Sequence, residues 1–315
     1  MNKNERIQAV LKNMEPDVVP AGFWFHYPGT MGAKETAEEH LKLFHHADND
    51  IIKIMLDLKY PTDSAINGEA DWYKLKFEGT SSAAFIKQKE IIQRILDAVG
   101  GSVMTFQTVF GAFSAVFSNF GEKLLMQHAR EFPTAVAAAM KNTAETICEW
   151  VQGYMDLGIT GIYYSAQYGE VGRFDKIEWE TLVKPFDLMI WDAMKPYANS
   201  VSILHTCGEK SYNFKTHEDW YKDYPGQIAN WSVKDNGLSL KEGQKLFNRT
   251  VLGGMNNKAN IISGSNDEIR SEVDTIIRGF GSKKMILGAD CTVQGKIDLD
   301  RIRTAVEAAH AFNNE

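Results

Sequence analysis

The chain has 315 residues, 44% of them hydrophobic and 24% charged, with a net charge of −7, a length that suits two average domains or one large α/β barrel. Its lysines and arginines are scattered, which excludes the basic face that nucleic acid requires, and no run approaches the ~18–20 apolar residues of a membrane span. Three cysteines make no secreted framework and the polar start MNKNERIQAVLKN has no signal-peptide core, so a cytoplasmic globular protein acting on a small molecule is expected.

In chain order, residues 4–14 read as a short helix with Ile7, Val10 and Leu11 on one face. The run AGFWFHY, residues 21–27, reads as a first strand stopped by Pro28-Gly29. A helix over 33–46 leads to a second strand, DIIKIMLDL at 50–58, and then to a long loop over 59–86. A helix over 88–99 ends at Gly100-Gly101, and SVMTFQTVF at 102–110 forms a third strand. Residues 112–129 read as loop and short helix. The clearest helix covers 132–157, with Pro133 in its first turn, where a missing N–H costs little. The fourth strand is expected at 159–165 and another long helix at 179–194. Strands five to eight follow at 201–207, 228–233, 251–255 and 285–289. Helices are expected between them at 240–247 and 267–280, and a last one at 298–310.

Eight apolar strands alternating with helices predict a parallel sheet, and eight units in this length predict a closed (β/α)8 TIM barrel. The expectation is one domain over 1–315, with a short N-terminal helical extension. The alternative is an open doubly wound sheet, which uses fewer strands. Neither Gly169–Arg173 nor Leu252–Asn257 has the GxGxxG spacing of a dinucleotide site.

Two of the three cysteines stand at strand ends. His205 and Cys207 are two residues apart, so a period of two points both side chains to one face. Cys291 stands at the equivalent end of the eighth strand. A barrel gathers its active-site groups at the C-terminal mouth, where these residues converge. Two cysteines and a histidine form a catalytic zinc set with a fourth position left for water or substrate. His205, Cys207 and Cys291 are therefore the expected zinc ligands; Cys148, inside the long helix, reads as a small buried hydrophobe. Glu170, Gln167 and Asp290 are candidates for the fourth position by their place at strand ends.

His205-Thr206-Cys207-Gly208, with Cys291 far downstream, resembles the zinc motif of the methylcobamide:coenzyme M methyltransferases of the uroporphyrinogen decarboxylase superfamily. The resemblance extends over nearly the whole chain, through NERIQAVLKN and DVVP, YMDLGITGIYY, IANWSV at 228–233 and LGGMNN at 252–257. It implies a (β/α)8 barrel with zinc at the mouth, and methyl transfer from a corrinoid (methylcobamide) to a thiol such as coenzyme M or to another acceptor. It leaves room for a corrinoid carrier protein as partner. The physical logic agrees, because a neutral thiol is a poor nucleophile and coordination deprotonates it.

Further polar residues at strand ends are expected to bind substrate: His26, Gln107, Tyr164, Gln167, Asn230 and Asn256. Either Tyr163 or Tyr164 faces inward; periodicity does not choose. Trp231 and Phe25 read as packing, and HEDWYKDYP at 217–225 as a solvated helix face. The first alternative function is a uroporphyrinogen-type decarboxylase, with Asp57 offered for pyrrole contact. The first strand runs into FWFHYPGTMGAKE, which carries no arginine for a polycarboxylate substrate. The second alternative is a non-catalytic corrinoid or metal binding module, since barrels host many chemistries.

Overall fold

The structure is a computed structural model that describes residues 1–208 and 212–312. Eight strands are present: β1 (Ala21–Gly22), β2 (Ile51–Ile54), β3 (Met104–Phe110), β4 (Gly161–Ala166), β5 (Ile203–Thr206), β6 (Ile228–Asn230), β7 (Thr250–Met255) and β8 (Met285–Ala289). Every paired neighbour is parallel, in the order β1-β8-β7-β6-β5-β4-β3-β2. The two ends nearly close: the Asp50 N–H donates to the Ala21 carbonyl at 2.7 Å, and the Asn49 carboxamide bonds both backbone groups of Phe23. This is the (β/α)8 barrel that the alternation predicts. No described helix is long and apolar enough to cross a membrane.

Strand periodicity sorts the side chains into two cores. Ile51, Met55, Phe106, Tyr163, Ile203, Leu252 and Leu287 fill the barrel interior. Ile52, Ile54, Val109, Tyr164, Leu204 and Val251 face the surrounding helices. Each fully buried large side chain of this kind stabilises the fold by about 1.5–3 kcal/mol.

Several boundaries differ from expectation. The first strand shrinks to two residues, although a bridge from Phe25 to Val293 continues its line toward the mouth. The loop at 59–86 contains a helical turn, Glu69–Trp72, and the following helix starts early, at Ala83, because Ser82 caps it by accepting from the Phe85 N–H. Residues 112–129 form two helices, Ala112–Phe120 and Glu122–Glu131, joined at Gly121 with φ 84°. The long helix over 179–194 is two helices, Lys176–Leu182 and Lys184–Asp192; Val183 leaves helical geometry and Pro185 sits in the second one's first turn.

The segment at 217–225 is not a solvated face. It holds a 3-10 turn, Glu218–Tyr221, and buries Glu218, Trp220, Tyr221 and Tyr224. Its aromatic residues pack around Trp179, which periodicity alone does not reveal.

The N-terminal helix, Lys3–Leu11, is closed by a capping box between Asn2 and Glu5. It docks at the bottom of the barrel, where Arg6 Nη1 meets the fully buried Asp50 Oδ1 at 3.0 Å. His310 of the final helix, Leu299–His310, meets the other oxygen of Asp50 at 2.8 Å.

Candidate metal centre

The metal-ligating pattern sits where two strand pairs hold it firmly. Beyond β5, the Cys207 N–H still donates to the Ala166 carbonyl at 3.0 Å, continuing the ladder with β4. On either side of Cys291, the Asp290 N–H donates to the Met255 carbonyl at 2.8 Å and the Val293 N–H to the Trp24 carbonyl at 3.0 Å. A buried Glu218 accepts from both Thr206 Oγ1 (2.6 Å) and Thr216 Oγ1 (2.5 Å), drawing the returning chain back against β5. Gly208 must lack a side chain here, since a Cβ would lie 2.3 Å from the Phe214 carbonyl oxygen.

The result is convergence. His205, Cys207 and Cys291 offer ligand atoms that all lie within 4.8 Å of one another. The two sulfurs are 3.7 Å apart, and Cys291 Sγ is 3.5 Å from His205 Nε2. A tetrahedral zinc ion, with bonds of about 2.3 Å to sulfur and about 2.05 Å to nitrogen, spaces its sulfurs about 3.8 Å apart and a sulfur–nitrogen pair about 3.6 Å apart. The donor set therefore fits zinc in type, and in spacing for the two pairs that Cys291 makes, with the His205–Cys207 pair within 4.8 Å. A disulfide would need the sulfurs near 2.05 Å. Among the described residues His205 Nδ1 is buried with no hydrogen-bond partner, and Nε2 is the ring nitrogen turned toward Cys291. The Cys291 thiol is held well below the usual thiol range, chiefly by its hydrogen bond with Cys207 and then by His205.

A cavity of about 340 Å³ opens over these three residues. Gln167 and His26 line it, as expected at strand ends. Gln167 accepts from the Ser114 hydroxyl, and His26 Nδ1 lies 2.5 Å from Asp57 Oδ1. The other four expected contacts lie elsewhere. Tyr164 points outward and donates to Asp187 Oδ1 at 2.6 Å; its neighbour Tyr163 takes the inward place, ring against His205 with centroids 5.3 Å apart. Gln107 also points outward, accepting from Gln88, while Thr108 faces the cavity. Asn230 is inward but spent: it accepts from the Tyr163 hydroxyl at 2.8 Å and donates to the Leu252 and Ala289 carbonyls. Asn256 closes a turn by accepting from the Lys258 N–H. Of the candidates for a fourth ligand, Glu170 is paired with Arg173, and Asp290 accepts from the Val233 and Gly254 N–H groups. Burial pushes the Asp290 carboxyl up to about 7.

Lys53 also faces this cavity. It sits mid-β2 with the inward register of Ile51 and Met55 and lines the cavity, 6% exposed. Its ammonium lies 4.0 Å from the centroid of the Tyr163 ring and 4.9 Å from that of Trp24. Burial lowers it to about 7, opposed by Cys291, Asp57 and Cys207. The signal was present in DIIKIMLDL, since a lysine in the middle of an apolar strand is seldom buried without a task.

The described site thus offers three ligand atoms of the kind a soft divalent ion takes, beside Lys53 and at the floor of a half-open cavity. A search of curated proteins finds no match to the sequence. Among solved structures the fold is similar to a methyltransferase from Methanosarcina mazei, with a TM-score of 0.76 and 14% identity, covering 98% of both chains. It is also similar to a B12-independent methionine synthase from Shewanella sp. W3-18-1, solved with selenomethionine (TM-score 0.59, 10% identity, 93% of this chain and 94% of that one). A third likeness is to a putative vitamin-B12 independent methionine synthase from Listeria monocytogenes (TM-score 0.55, 14% identity, 95% and 99%). These likenesses concern the fold. The uroporphyrinogen decarboxylase (URO-D) family profile matches residues 62–312, and the chain belongs to that family.

Proposed function

We propose that this chain is a zinc-dependent methyltransferase that moves a methyl group from a methylated corrinoid to a thiol acceptor, as in the methylcobamide:coenzyme M branch. The observation that carries the reading is the spacing of Cys207, Cys291 and His205, which suits one tetrahedral ion. Zinc held there supplies Lewis acidity that keeps an incoming thiol deprotonated near neutral pH. The chain's own groups do the rest. Tyr163, fixed by Asn230, backs the His205 ring and stays a neutral phenol, its pKa raised well above the usual value by burial. Lys53 faces the thiolates and offsets the negative charge that a third sulfur adds. The pocket walls keep the acceptor sulfur in place and limit water. The methyl donor approaches from the mouth, where Tyr212 and Phe214 are exposed aromatic residues suited to a flat macrocycle or to the carrier protein that presents it. Formation of the sulfur–carbon bond accompanies loss of the carbon–cobalt bond, whose electron pair stays on cobalt.

A tetrapyrrole decarboxylase is less well supported by the site. Its substrate carries many carboxylates, whereas the described lining of this cavity holds no arginine and offers Lys53, His26 and His205 as its basic groups. The two converging thiols would also have no part in that reaction. The deciding experiment incubates the chain, with and without zinc, with methylcobalamin and a panel of thiols. Thioether and cob(I)alamin are expected only with zinc. Decarboxylation of uroporphyrinogen with no methyl transfer to any thiol would overturn the reading.

A further inference from the structure

A second cavity, about 310 Å³, stands beside the metal cavity at the mouth. Its walls come from three places: Leu58 and Tyr60 after β2, Ala115 and Phe117 in the helix after β3, and Tyr168 after β4. Phe110 and Gln167 line both cavities, so the two spaces adjoin across that pair. The wall is rigid and aromatic, with the Tyr168 ring packed on Phe113 and Phe117 at centroid distances of 4.7 and 5.3 Å. Three of its polar groups are already engaged, while the buried Tyr60 hydroxyl has no hydrogen-bond partner among the described residues. Ser114 donates to Gln167, Ser118 Oγ to the Ala115 carbonyl at 3.0 Å, and Lys59 Nζ to the Ser118 carbonyl. What the space offers a ligand is mostly apolar surface, which holds water poorly and hydrocarbon well, with the Tyr60 hydroxyl as its one buried unpartnered polar group among the described residues.

We infer that this side cavity receives the tail of the acceptor thiol, and that the tail is an apolar group, a short alkyl chain or a benzyl-sized ring. This rests on the methyltransferase reading, because it places the acceptor sulfur at His205, Cys207 and Cys291. Phe110 and Gln167 stand between the two spaces, so the tail must pass that pair. The walls that complete the cavity come from the segments after β2, β3 and β4, none of which carries a metal ligand. The division of labour is plain: strands five and eight hold the reacting atom, and the opposite half of the mouth sorts the rest of the acceptor.

The test is a calorimetric titration of the zinc-loaded full chain with thiols that differ only in the tail. Ethanethiol, propanethiol, butanethiol and phenylmethanethiol are compared with 2-mercaptoethanol and 3-mercaptopropionate. Affinity should rise about fourfold for each added methylene from two to four carbons. Phenylmethanethiol should bind tighter than either polar thiol. Ala115→Leu and Ser118→Phe, which fill the cavity from one helix, should flatten the series; zinc content and thermal unfolding report whether each variant is folded. A flat series in the unsubstituted chain, or tightest binding by 3-mercaptopropionate, overturns the inference while leaving the metal reading intact. A chain that retains no zinc overturns both.

Discussion

The bottom and the mouth of this barrel treat charge in opposite ways. At the bottom, Asp50 is fully buried yet saturated: it meets Arg6, His310 and the Ala21 N–H within 3.0 Å. Asp17 joins the same cluster through Arg6 and the N-terminal amine. At the mouth, the buried Lys53 ammonium rests on aromatic rings, and the buried His205 Nδ1 has no partner among the described residues. Burying charge is costly unless it is paired. The bottom pairs its buried carboxylate fully, whereas the mouth leaves a buried ammonium and an imidazole nitrogen on residues that line the cavity, where a ligand can meet them. Barrel bottoms serve stability and barrel mouths serve chemistry for this reason.

The comparison predicts effects of different kinds at the two ends. The largest is expected at the mouth. Loss of an outer partner of a metal ligand costs about 10–100-fold in affinity, so Cys207→Ala should cost more than that, read by competition with a chromophoric chelator. Its fold should survive, because Cys207 is held by its backbone ladder. At the bottom the pattern reverses. Asp50→Ala leaves Arg6 and His310 without their buried partner and should cost about 3–5 kcal/mol in denaturant unfolding, with zinc affinity unchanged. The same variant tests the pH dependence. Asp50 is held below the ordinary carboxyl range although burial opposes this, through His310, the Ala21 N–H and Lys3. A depressed carboxyl stabilises the fold above its unfolded pKa and loses that contribution as pH falls, so the parent should weaken below about pH 4 and the variant much less.

Between the two ends lies Asp187, buried against the Tyr164 and Tyr224 hydroxyls and pushed up to about 7 by burial. Its sign is opposite. A raised carboxyl costs stability progressively as pH rises from about 4 to about 7, because the unfolded chain ionises first. Asp187→Asn should flatten that slope by on the order of 1–3 kcal/mol, measured by thermal or denaturant unfolding at pH 5 and pH 8. An unaltered slope would show that the carboxyl is ionised in the fold. The smallest effect is expected from Lys53→Met, which keeps the volume and removes the charge. Zinc content should hold, while thiol binding near neutral pH weakens about tenfold, roughly one pKa unit of lost charge stabilisation.

Much of this was legible from spacing alone. Period two put His205 and Cys207 on one face, and counting strands put Cys291 at the same mouth; both inferences need only strand geometry. Tyr163 and Tyr164 show where that reasoning stops, because adjacent residues face opposite cores and both cores here are apolar. Asn230 and Gln107 look like site residues by position, yet their amides are consumed by Tyr163 and Gln88, partners far away in sequence. Burial of Glu218 and Trp220 in a charged-looking segment depends on tertiary contacts with Trp179 and Thr206. Lys53 was readable, given the register of Ile51 and Met55 around it.

We propose that Cys207, Cys291 and His205 hold one zinc ion with an open fourth position. X-ray absorption at the zinc edge of the purified chain, before and after a thiol is added, tests it most directly. One zinc per chain with two sulfur neighbours and one imidazole nitrogen is expected, rising to three sulfurs with the thiol. Zinc bound only through oxygen and nitrogen, or an unchanged sulfur count on adding thiol, would contradict it.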